Sequence, residues 1–109
     1  MKTFTDTAAE RALLASVFLA GDVDPARIVP LTLAAYTRLA VRVSAEDFSD
    51  PRHGRVWAAM GGVVASGGGV EAVTVGAALR RTQGAPITLE FLAGLTVEAG
   101  DALSEQRRH

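Results

Sequence analysis

The chain of 109 residues contains no cysteine. Disulfides and thiolate metal sites are therefore excluded, and nothing suggests an oxidising compartment. Aromatic residues are scarce at 6%, although 49% of the chain is apolar. Much of that share is alanine, which with glycine favours tight helix packing over a thick aromatic core. No charge of one sign dominates. Twelve acids against eleven bases leave a net charge of −1, so no global field draws the chain toward DNA or anionic lipid. Long apolar runs are missing too. The longest charge-free stretch, Val56 to Val70, covers 15 residues and is glycine-rich, short of the roughly 20 that span a bilayer. Near the start, Asp6, Glu10 and Arg11 interrupt what a signal peptide would keep free of acid, so a cytoplasmic protein is expected.

What is present reads as helices. A chain of this length folds as one domain, hiding roughly 65% of its unfolded surface in one core. Thr7 with Glu10 three residues later has the form of a capping box. Behind it Leu13, Leu14, Val17 and Phe18 repeat at helical spacing, predicting a helix from about residue 8 to 20 that stops at Gly21-Asp22. Asp24-Pro25 is a second start, with Pro25 at the first helical position. Pro30 disfavours helix at Val29 and predicts a kink or a restart. Leu31, Ala34, Ala35 and Leu39 then continue a stripe to about Val41, and Ser44 to Ser49 is expected as a turn.

The stretch "EDFSDPRHGRVWAAM" at 46–60 concentrates the residues that look most like a site. Asp50 suits an N-cap, Pro51 the first helical position, and His53 follows three residues after the cap. Val56, Trp57, Met60, Val63 and Val64 form one apolar stripe. Gly67-Gly68-Gly69 ends that helix, because glycine tolerates the left-handed backbone of helix ends. Thr74 is expected to cap a fourth helix through Val75, Ala78 and Leu79 to Arg81. Thr88 is expected to cap a fifth through Leu89, Leu92 and Leu95, and residues 101–109 are expected to form a flexible tail. No period-two strand and no internal repeat is evident. The predicted class is all-α, a small bundle of about five to six helices.

Catalytic readings fail on their own terms. Asp50 and His53 resemble an acid–base pair, but a carboxylate at an N-cap already has a backbone partner, and no third group is evident. Glu46, Asp47 and Asp50 lack the alternating ligand loop of a calcium site. Two histidines, one of them C-terminal, make a poor zinc set. "SGGG" at 66–69 is not followed by a phosphate-loop signature, and the only lysine is Lys2. No serine sits in G-x-S-x-G. Arg52 and Arg55 are cancelled by Glu46, Asp47, Asp50 and Glu71, so a nucleic-acid stripe is not supported. No catalytic residue, cofactor or metal is expected.

One surface is odd. With the Trp57 stripe inward, the far side of that helix carries Ala58, Gly61, Gly62 and Ala65 and no charge. Two mid-helix glycines each cost roughly 1 kcal/mol against alanine, so propensity did not select them. Either a second backbone approaches here, or the composition is simply rich in small residues.

Three stretches together resemble the N-terminal domain of hexameric replicative DNA helicases of the DnaB kind. They are "AERALLASVFL" at 9–19, "EDFSDPRHGRVWAAM" at 46–60 and "VEAVTVGAAL" at 70–79, similar to that family in order and approximate spacing. The resemblance implies that Leu13, Leu14, Phe48, Asp50, Pro51, His53, Val56, Trp57 and Thr74 define the fold, with no catalytic part. It implies a non-catalytic collar domain that pairs with copies of itself, as a dimer or higher oligomer, and engages primase or helicase subunits. It equally fits a free-standing relative acting in DNA replication. Direct DNA contact is expected to be weak or absent, and membrane contact absent. Three departures stand out: the longer segment "PLTLAAYTRLAVRV", a chain that ends near the family's mating hairpin, and Ala77 where the family often has Glu. The last predicts that Thr74 has no reciprocal capping partner. The alternative is a small DNA-binding regulator built on a helix-turn-helix. Its recognition helix should carry several basic or amide side chains on one face, and helix 51–66 shows none after Arg55.

Overall fold

The computed structural model describes residues 7–82, 84 and 87–95. Four longer helices follow one another: α1 (Thr7–Asp22), α2 (Ile28–Ala40), α3 (Pro51–Ala65) and α4 (Ala72–Arg80). Single 3-10 turns at Pro25–Arg27 and Ala45–Asp47 lead into α2 and α3. A further helical run, α5, covers residues 89–95. Among the described residues there is no strand. α1 packs on α2 and α3 on α4, and α1 meets α3 between the two pairs.

The inward residues follow the helical repeat. Leu14, Ala15, Val17 and Phe18 of α1 meet Val56, Trp57, Met60 and Val63 of α3, with Val75 and Leu79 of α4 and Leu92 and Leu95 of α5 closing the core. Phe48, ahead of α3, places its ring 5.9 Å from that of Trp57.

Start signals behave as their chemistry requires. The Asp24 carboxylate accepts from the Ala26 N–H at 3.1 Å, and the Asp50 carboxylate from the Arg52 N–H at 2.9 Å. The Thr88 hydroxyl accepts from the Phe91 N–H at 3.1 Å. At the end of α3 the Gly68 N–H reaches the Val63 carbonyl and the Gly67 N–H the Val64 carbonyl, both at 3.0 Å. That is a Schellman ending, and Gly67 takes the left-handed φ of +85° it demands.

α1 stops at Asp22, as expected, and a Cβ on Gly21 would lie 3.1 Å from the Thr32 methyl. Three expectations need correction. The segment begun at Pro25 does restart, at Ile28 after an Arg27 that is not α-helical, but Val29 is helical where Pro30 was expected to disfavour it. Pro30 sits in the first turn of α2, where its missing N–H would have had no partner. The α2 stripe also differs, since Ala34 is exposed while Ile28, Thr32, Ala35, Tyr36 and Leu39 face inward. Finally, Thr74 is not the cap of α4 but its third residue. The cap is Glu71, and the two exchange reciprocal bonds, with the Glu71 N–H donating to the Thr74 hydroxyl at 3.1 Å. Thr74 therefore does have a reciprocal partner, supplied from the position before Ala72. The expected tail at 101–109 lies outside the described residues.

Candidate functional site

Glu10, expected to complete a capping box with Thr7, is turned into the interior instead. It is 0% exposed, and His53 is 1% exposed. His53 Nδ1 lies 2.9 Å from Glu10 Oε1. An ionised carboxylate can only accept, so this ring nitrogen is assigned the proton. The Ser49 hydroxyl and the Ser49 N–H, the latter at 2.9 Å, both donate to Oε2, and the Asp50 N–H donates to Oε1 at 3.2 Å. Burial alone would push this carboxyl up. The Ser49 hydroxyl, His53 and the backbone N–H groups of Ser49 and Asp50 outweigh it and carry it from 4.5 down to about 2. Glu10 thus stays ionised at neutral pH with both oxygens engaged.

Around this bridge the start of α3 is clamped from two sides. The Arg52 guanidinium holds the Asp50 carboxyl below the usual carboxylate range, bonding it at 2.9 Å. The Arg52 guanidinium also lies over the Phe91 ring, 4.7 Å from its centroid. The His53 ring also stacks on Phe91, with centroids 5.9 Å apart. α1, α3 and α5 therefore meet at one buried ionic knot. His53 and Glu10 are both closed off from solvent, so the pair holds helices together and is no open acid–base site. His53 is a long-range structural residue, buried and bonded to a helix 43 positions earlier.

The remaining sequence-singled residues fall into place around it. Leu14, Phe48, Val56 and Trp57 are in the core, and Leu13 packs against its edge. Pro51 opens α3. The small-residue face of α3 does not stay together. The Tyr36 ring lies 4.4 Å from that of Trp57, and its hydroxyl covers Gly61, where an added Cβ would come within 2.6 Å. So Tyr36 of α2 covers Gly61. Ala58, Gly62 and Ala65 remain exposed. Ala58 and Gly62 line a groove of about 350 Å³ with Ala78 and Thr82 of the α4 side, and Arg55 bonds Thr82 across its end at 3.2 Å.

The sequence of the DnaB-like helicase N terminal domain family, taken as a family model, matches residues 3–102 of this chain. The chain belongs to the DnaB-like helicase N-terminal domain family. Comparison with curated proteins and with solved structures gave no match. The matched region is a helicase-associated domain of DNA replication, and it is a non-catalytic one. Glu10 and His53, from the first and second of the resembling stretches, join each other in the core. Among the described residues no helix is long and apolar enough to cross a membrane.

Sequence reasoning missed one surface. The outer side of α2 carries Pro30, Ala34 and Thr37, with Leu33 at its edge and Val41 just beyond; all are exposed and none is charged. The signal was available, because the inward set Ile28, Thr32, Tyr36 and Leu39 leaves Pro30, Ala34 and Thr37 on the opposite side at about 100° per residue. Counting Ala34 as inward hid it.

Proposed function

We propose that this chain is a non-catalytic docking and self-association domain of the replication machinery. It forms the collar of a DnaB-type helicase ring, or acts as a free-standing relative, and it engages primase or helicase subunits in the cytoplasm. The observation that carries this reading is the family match across residues 3–102. Two structural facts support it. The most reactive-looking groups, Glu10 and His53, are consumed in a buried bridge, and uncharged exposed surface remains on α2 and on the α3–α4 groove. ATP hydrolysis belongs to a motor domain whose phosphate loop this chain does not contain. Ala58, Gly62 and Ala65 are the proposed self-association residues, now without Gly61.

Sedimentation velocity of the purified chain, alone and mixed with the replicative helicase and primase of its host, tests the reading. A concentration-dependent dimer or a complex with either protein is expected. A monomer that joins neither, at concentrations up to about a hundred micromolar, refutes it.

A further inference from the structure

We propose that the cleft where α1 ends and α4 begins receives a helical segment of a partner protein that presents apolar side chains beside an arginine or lysine. The proposal rests on reading the chain as a docking domain and names the chemistry of what docks. The cleft measures about 300 Å³, with Phe18, Ile28 and Val70 among its apolar lining and Asp22, Glu71 and Val73 at its sides. Val73 is 67% exposed, Val29 45% and Val23 82%. Val73 lines the cleft itself, while Val29 lies against Gly69 beside it and Val23 follows the lining residue Asp22 in the chain; each loses nothing by being covered. Their neighbourhood is continuous, since Gly69 packs against Ile28 and Val29 while Val70 enters the cleft.

Charge selects the partner. α1 has no basic residue in its last turn and ends on Asp22. A carboxylate at that pole adds to the negative end of the helix dipole, an arrangement that a cation relieves. Across residues 20–29 and 69–74 the chain carries Asp22, Asp24 and Glu71 against Arg27 alone. The Asp24 carboxylate is occupied by the Ala26 N–H, and Glu71 is engaged in its capping box. Asp22 is therefore the group best placed to meet an incoming cation. The rim is made of helix ends, with no strand edge among the described residues, so an extended peptide has no ladder to join and a helix laid in the cleft is the fitting mode.

The probe is an acetylated, amidated helical peptide of about sixteen residues, long enough to hold some helix in water. It carries leucines at i and i+4 and an arginine on the next turn, and a matched peptide carries glutamate in place of that arginine. Titration into the isotopically labelled chain is followed by amide shifts. The arginine peptide should shift Phe18, Ile28, Val70 and Val73, and the glutamate peptide should not. Asp22→Arg, which suits the end of α1, should weaken binding about tenfold, and Val73→Ser about threefold. Equal binding of the two peptides, shifts confined to the α3–α4 groove, an affinity unchanged by Asp22→Arg, or no shifts at about 1 mM peptide would overturn the proposal. So would cleft amides that move on dilution of the chain alone, because the occupant would then be a second copy. A chain that takes the peptide here yet joins neither helicase nor primase would sink the collar reading alone.

Discussion

Replacing Glu10 by glutamine keeps the shape of the side chain and removes its charge. The carboxylate receives four donors, the Ser49 N–H and hydroxyl, the Asp50 N–H and His53 Nδ1. Glutamine offers one oxygen, and its amide nitrogen is itself a donor. Whichever way the amide is turned, donors meet a donor. Hydrogen bonds to a charged group contribute about 1.5–3 kcal/mol each, and a buried donor left unpaired costs about 1–3 kcal/mol. Relaxation and retained bonds on the remaining oxygen bring the expected loss to about 3–5 kcal/mol, the range for breaking a buried pair. Against a total stability of about 5–15 kcal/mol, that is a large fraction. Thermal unfolding followed by circular dichroism should show a drop of more than about 12 °C. In a double-mutant cycle with His53→Gln the two changes should couple by about 1–3 kcal/mol, because each exposes the same missing partner. The acid limb gives an independent reading. The folded-state value of Glu10 is lowered, to about 2, so its contribution is fully present above its ordinary 4.5 and is lost as pH falls through about 2. Wild-type stability should therefore fall between those values, and Glu10→Gln should fall less steeply there. Additive effects of the two substitutions, or a loss below about 1 kcal/mol for Glu10→Gln, would refute the buried bridge.

Trp57→Ala should lose about 3–5 kcal/mol in urea unfolding, since it empties a core position flanked by the tilted rings of Tyr36 and Phe48. Thr32→Val keeps the volume but removes the acceptor of the buried Val70 N–H, 2.9 Å away; a loss of about 1–3 kcal/mol is expected, with faster exchange of the Val70 amide. Gly54→Ala should cost about 1–3 kcal/mol, because the new Cβ would meet the Ala45 carbonyl oxygen at 2.7 Å and backbone yields poorly.

Local signals were legible because their partners lie within a few residues. The caps at Asp24, Asp50 and Thr88 each bond an N–H two or three positions on, and the Gly67 ending closes within one turn. The register of α4 was less legible, since Glu71 and Thr74 are both able to cap and only the path of the preceding glycines, with the Gly69 carbonyl accepting from Thr74 at 2.7 Å, decides between them. The Glu10–His53 bridge was not legible from either end. Glu10 matched a capping box and His53 followed a cap, and each local explanation stood in for a partner far along the chain. A signal did exist. Glu10 lies in phase with Leu14, Val17 and Phe18, so a charge sits on the inward side of α1 and has to be met there. Thr32 gives the same signal on α2, in phase with Ile28, Tyr36 and Leu39, and its hydroxyl is likewise taken by a distant N–H.

The neighbouring glycines of α3 separate packing within the chain from contact with another copy. Successive helical residues point about 100° apart, so Gly61 and Gly62 cannot share one environment. At Gly61 an added Cβ would lie 2.6 Å from the Tyr36 hydroxyl, whereas at Gly62 no atom lies within 4 Å. Gly61→Glu must push Tyr36 off Trp57, forfeiting an aromatic pair worth about 0.5–1.5 kcal/mol and adding overpacking of about 1–3 kcal/mol. A loss of about 2–4 kcal/mol is expected, so any change in its assembly is confounded by unfolding. Gly62→Glu should keep or raise the melting temperature, because glutamate costs less than glycine inside a helix by a few tenths of a kcal/mol or more. It also places a charge in the groove lined by Ala58 and Ala78, and should lower the sedimenting mass wherever that groove pairs two copies. If Gly62→Glu unfolds as Gly61→Glu does, the separation of the two positions is wrong. If Gly62→Glu is folded and its mass equals that of an associating wild type, the pairing surface is not this groove, and the uncharged outer side of α2, tested by Leu33→Glu, is the next to examine.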